Sequence, residues 1–162
     1  MSLFDLFLAF LLGAGAAAAL SYCFNISYYD IVWGALIGGL GWAVYTAALS
    51  PDGSASVLSY FWGALVVAFL SEILAIIIKK PATIYIVPGL LPFVPGGDMF
   101  KTMRAAVEGN LQESLNIGFA TLSAAGAIAV AIALSSSASR IVKSLIKYLH
   151  NKRDKESHDE RT

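Results

Sequence analysis

Apolar residues in this chain come in long blocks separated by short polar breaks. Residues 3–24 form the first block and "NISYYD" follows. The second block covers 31–49 and ends at "SPDGSAS"; the third covers 57–78 and is closed by Lys79-Lys80. A fourth block, 81–95, is apolar but repeatedly interrupted, and residues 96–116 are more polar. The fifth block covers 117–134, and a charged tail follows. A helix needs roughly 20 residues to cross the hydrocarbon core of a bilayer. Blocks one, two, three and five reach or approach that length. The fourth is short.

Composition agrees with membrane residence. Hydrophobic residues make up 57% of the chain and charged residues 14%, with a mean hydropathy of +0.70. A soluble domain carries roughly 25% charged residues. The net charge is zero, so no basic excess points to nucleic acid. The charges are unevenly placed. No Lys or Arg occurs in the first 78 residues, whereas the stretch from Arg140 onward holds seven basic and four acidic residues.

Basic residues favour the cytoplasmic side of membrane proteins. Lys79-Lys80 therefore place the end of the third block inside, and the tail (Lys143, Lys147, Lys152, Arg153, Lys155) belongs there too. Two crossings are needed between them, so the fourth block must cross. The pattern predicts an all-α integral membrane protein: a bundle of about five transmembrane helices with a short, Pro-broken fourth span. The N-terminus is expected outside and the C-terminus in the cytoplasm. A four-span arrangement with a re-entrant fourth block is the alternative, and it would strand the basic tail outside. The first block lacks a basic flank and a cleavage site and reads as a retained span. The domain reading is a membrane domain over 1–137. A cytoplasmic amphipathic helix end and a charged, disordered tail are expected over 138–162.

Small residues recur in the spans: Gly34, Gly38 and Gly41 in the second, 13–19 in the first, 123–127 in the fifth. They let membrane helices approach closely. The lone Cys23 reads as apolar filler. His150 and His158 have no partner at metal-ligand spacing, so neither metal nor cofactor is expected. Phosphate-binding loops, nucleophile elbows and zinc motifs are missing from the sequence, which leaves no visible catalytic centre.

The fourth block, "PATIYIVPGLLPFVPGGD", carries the chemistry. Each proline in a helix lacks an N–H and displaces the carbonyl four residues earlier. Pro88, Pro92 and Pro95 would free the carbonyls of Ile84, Pro88 and Leu91, which share one helical face. Unpaired carbonyls at membrane depth are tolerated only against protein or beside a wet cavity, and broken helices build substrate sites in many transporters. This face, with Gly89, Gly96 and Gly97, is the candidate substrate path. Asp98 is expected to cap a following helix over 99–107. Glu72 is an ionisable group roughly 10 Å from the end of the third span, a depth at which charge is costly. It is a candidate to carry a proton or hold an ammonium group. Pairing with Lys79 is the simpler alternative. Lys101, Arg104 and Glu108 share a polar face; if that face turns inward, Arg104 matches a carboxylate.

"KPATIYIVPGLLPFVPGGDMFKTMRAAVEGN" resembles the threonine/serine exporter family, and in particular its small YjjB-like membrane subunit. The resemblance covers nearly the whole chain by length and span layout. Its specific part is 80–107, and the matching motif positions are Pro81, Pro88, Pro92, Pro95 and Gly96. Where the family often has a small polar residue after the second Pro-Gly, this chain has Gly97-Asp98. The resemblance implies an inner-membrane secondary exporter of threonine, serine or small organic acids such as succinate. It also implies a larger YjjP-like partner subunit. A non-transporting assembly subunit is the alternative from a different class.

Overall fold

The computed structural model describes residues 3–49 and 55–159, with side chains as far as Val142. The loop 50–54, residues 160–162 and the side chains of the basic tail, His150 and His158 included, lie outside that description. The described residues form six α-helices and no strand: α1 (Leu3–Cys23), α2 (Tyr28–Ala47), α3 (Val57–Ile78), α4 (Thr83–Leu90), α5 (Gly96–Val107) and α6 (Leu111–Asp159). A 3-10 turn, Leu91–Phe93, follows α4. Three stretches are long and apolar enough to cross a membrane: α1, α3 and Leu111–Val142 of α6. At 20 residues α2 has a similar length, with its hydropathy lowered by tyrosine, tryptophan and four glycines.

The turns gather at two opposite ends. At one end Asp30, in the first turn of α2, meets Lys80 between α3 and α4. At the other end the Ser59 hydroxyl donates to the Ala48 carbonyl at 2.7 Å and ties the end of α2 to the start of α3. Tyr60 lies there beside Pro95 and Asp98. The fourth segment therefore starts at the Asp30 end, where Tyr85 bonds Asp30, and finishes at the Tyr60 end. A looped-back fourth block does not describe it. α5 packs beside the start of α6, where the Ser114 hydroxyl donates to the Thr102 carbonyl, and α6 returns along α3. Eight α-helical and three 3-10 residues reach about 18 Å, far less than the roughly 30 Å hydrocarbon core.

Such a short, proline-bearing element is tolerated because one face of it packs against protein, while Val87, Leu91 and Val94 on the other stay exposed. Tyr85, Pro88, Gly89, Leu90 and Phe93 are all buried, and they join Ile37, Val67 and Leu74 in the apolar core. Glycine makes room. A Cβ on Gly89 would lie 2.8 Å from Val67 Cγ1, and one on Gly38 would lie 2.5 Å from Ala17 Cβ. The Gly38 position faces Gly89 itself, so α2 and α4 meet nearly backbone to backbone. Gly41 serves the same end, with Val67 against it. Aromatic rings close the far end: Phe93 packs on Trp42 at 5.4 Å and edge-on to Tyr45 at 5.6 Å.

Element boundaries have local causes. α3 opens with a capping box, the Ser56 hydroxyl accepting from the Ser59 N–H and the Ser59 hydroxyl accepting from the Ser56 N–H. It stops at Lys79, which adopts a left-handed conformation with φ 58°. That turn sends the Lys80 N–H back to the Ala75 carbonyl at 3.2 Å. α5 begins at Gly96, three residues before the expected start at Met99; Pro95 occupies its N-cap position and no side chain caps it. Asp98 lies inside the first turn, three residues past the N-cap position.

Candidate functional site

Glu72 is buried within α3, facing α6. Ser139 donates to its Oε2 at 2.7 Å and Ser136 donates to its Oε1 at 3.2 Å. The two serines are three residues apart on α6, so one helical face delivers both donors. A cavity of about 250 Å³ opens beside the carboxylate between the two helices, lined also by Phe69, Ile76, Ser135 and Val142. The Ser135 hydroxyl is buried with no hydrogen-bond partner in the structure. The pairing with Lys79 is not what forms: these contacts come from neutral hydroxyls. Sequence reasoning missed Ser135, Ser136 and Ser139. The signal was the run "SSSAS" at the end of an otherwise apolar block.

The proline strip is distributed differently. Ile84 is half-buried, Pro88 and Gly89 are buried in the apolar core, and Leu91 is exposed. The carbonyl of Leu91, expected to be freed by Pro95, accepts the Val94 N–H at 3.1 Å. The 3-10 turn shortens the spacing from four to three, and so finds a donor that an α-helix would have lost. Pro92, Pro95, Gly97 and Asp98 line a cavity of about 190 Å³ with Trp42, Tyr45, Tyr60 and Phe93. Gly96 is exposed at the start of α5.

Asp98 accepts a hydrogen bond from Lys101 at 2.9 Å on the surface, and its carboxylate makes the Lys101 ammonium harder to deprotonate. Arg104 pairs with Glu108 at 2.7 Å, both exposed. Its guanidinium borders a surface hollow between α5 and α6, with Lys101 and Glu113. Glu72, the proline strip and Arg104 therefore line three separate cavities in this conformation.

A second buried carboxylate was not anticipated as a site. Asp30 is 4% exposed. Its Oδ2 accepts from Lys80 at 2.6 Å and its Oδ1 from the Tyr85 hydroxyl at 2.7 Å. The three residues join α2, the α3–α4 turn and α4. The lysine had served only as a marker of membrane sidedness, and Tyr85 had drawn no notice. An aspartate opening an apolar block that has no neighbouring base in the sequence was the available clue. Among the described residues no group of three His, Cys, Asp or Glu could hold a metal ion.

A helical bundle with spans of membrane length, a short broken helix at its centre and a buried carboxylate beside a cavity defines a multi-pass membrane protein with the build of a transporter. The chain belongs to the threonine/serine exporter family, whose sequence pattern matches residues 6–138. Comparison with curated proteins and with solved structures found no match. The family match runs from α1 into α6 and includes Asp30, Glu72 and the proline strip, stopping one residue short of Ser139.

Proposed function

We propose that this chain is the membrane subunit of a two-component secondary exporter of threonine and serine, working with a larger YjjP-like subunit in the inner membrane. Small organic acids such as succinate are the second substrate class. The observation that carries the reading is Glu72: a buried carboxylate that accepts from two hydroxyls, on a side chain that helps line a cavity between α3 and α6. In membrane proteins such groups mark substrate and proton routes. Glu72 acts here as the group that alternately takes a proton and releases it to couple export to a gradient.

The conformation described is a closed one. Pro88 and Gly89 are packed in the core, and the cavity at Pro92, Pro95, Gly97 and Asp98 is the outer mouth of the path. Movement of α4 against α2 opens the strip that includes Ile84, Leu91 and Gly96. Glycine contacts allow such sliding, since no side chains interlock between Gly38 and Gly89. Arg104 receives the substrate carboxylate as it leaves. The N-terminus lies outside and the tail inside, which puts Lys80 at the loading side.

The test is export of labelled threonine, serine and succinate from cells making the chain with and without the larger subunit. The reading expects partner-dependent export of at least one of them. No partner-dependent export of any would overturn it. An assembly subunit without a path of its own predicts full export from Glu72→Gln, whereas a coupling role predicts a loss of at least about tenfold, the scale of one lost charged hydrogen bond.

A further inference from the structure

Asp30, Lys80 and Tyr85 are bonded across three elements, yet their exposures differ sharply. The Asp30 side chain is 5% exposed and the Lys80 side chain 40%, while Tyr85 is fully buried. The carboxylate is thus enclosed by protein, while the lysine that pairs with it reaches the surface. Tyr85 holds Oδ1 from within α4, so Asp30 keeps its position when Lys80 moves. Lys80 sits on a flexible four-carbon arm at the mouth of the bundle. It follows Lys79, whose left-handed turn aims it across at α2.

We propose that this ion pair is the loading site for the zwitterionic substrate, an α-amino acid that enters by exchanging with it. The substrate ammonium replaces Lys80 on Asp30 Oδ2, and the substrate carboxylate takes the Lys80 ammonium. One buried ion pair becomes two, and no charge is left alone at any stage. That condition is what makes the site selective. An unpaired carboxylate in a protein interior is strongly unfavourable, so Lys80 leaves Asp30 only as another cation arrives. A dicarboxylate brings no cation and cannot complete the exchange. Tyr85 links loading to the broken helix, because the hydroxyl that senses the charge on Asp30 belongs to α4, the element that must move. This inference rests on the exporter reading and narrows its substrate to amino acids.

The experiment uses the purified full chain in nanodiscs and compares binding of L-threonine with that of its methyl ester. The work is done at about pH 6, below the usual α-amino range, so both ligands carry an ammonium. The wild type is expected to bind threonine more tightly, because Lys80 receives the free carboxylate. Lys80→Met removes the competing cation and the carboxylate partner together. It should shift the threonine-to-ester affinity ratio toward the ester by about tenfold or more, with Lys80→Gln as a second variant should Met impair folding. Asp30→Asn should lose both ligands. A ratio unchanged in Lys80→Met and Lys80→Gln overturns the exchange and makes the pair a structural tie. If the wild type still exports threonine in cells, the exporter reading survives that result. A wild type that neither exports nor binds threonine overturns both.

Discussion

Among the described residues, Asp30 and Glu72 are carboxylates buried in apolar helices, each held by donors from another element. Asp30 faces a lysine and a phenol, while Glu72 accepts from Ser136 and Ser139. Glu72 stands out in the sequence as an isolated charge within an apolar block. Its partners do not, because serine is common in membrane helices and these serines lie 64 and 67 residues further on. Replacing both serines by alanine leaves the carboxylate without these donors. Loss of a hydrogen bond to a charged group costs about 1.5–3 kcal/mol, so the double variant should lose export and also melt earlier, by thermal unfolding in detergent. At Lys79 the left-handed backbone costs a β-carbon-bearing residue roughly 1–2 kcal/mol, and glycine adopts it freely. Lys79→Gly should raise the melting temperature by about 2 °C, and an unchanged or lowered value would show that the turn is unstrained.

At the scale of elements, the four longer blocks of apolar residues mark where the long helices form, since a helix pairs its own backbone in lipid. The helix α5 was legible too, but its start was not: it opens at Gly96 on Pro95 and not at Met99 on Asp98. The fate of the broken block was not, because proline chemistry says which hydrogen bonds are lost and not which new ones form. The 3-10 turn at Leu91–Phe93 re-pairs the Leu91 carbonyl, and Gly38 and Gly89 bring α4 into the core. Neither follows from proline spacing alone. Gly89→Leu is expected to force α4 away from α2 and Val67. Overpacking of this kind costs about 1–3 kcal/mol, so the variant should show reduced thermal stability and little export. A Cβ on Gly15, in α1 and away from the path, meets no atom within 4 Å, so Gly15→Ala should be tolerated in both assays.

For the whole molecule, charge placement gave the arrangement its direction. Five segments run between two ends, with Lys80 and Asp30 at one and Tyr60 and Asp98 at the other. Cys23 is exposed at the end of α1, on the Lys80 side. A membrane-impermeant maleimide should therefore label it in inside-out vesicles and not in intact cells. Labelling in intact cells would invert the orientation. Long stretches of α1 and α6 leave apolar side chains exposed, Leu12, Phe119, Leu122 and Leu134 among them, as helices in contact with lipid or with another membrane subunit do. The central claim remains that Glu72 couples the movement of solute to a gradient. Threonine counterflow in proteoliposomes holding both subunits tests it most directly, because counterflow needs substrate exchange but no net coupling. Glu72→Gln should retain counterflow while losing gradient-driven export. Gradient-driven export at the wild-type rate in that variant would contradict the account.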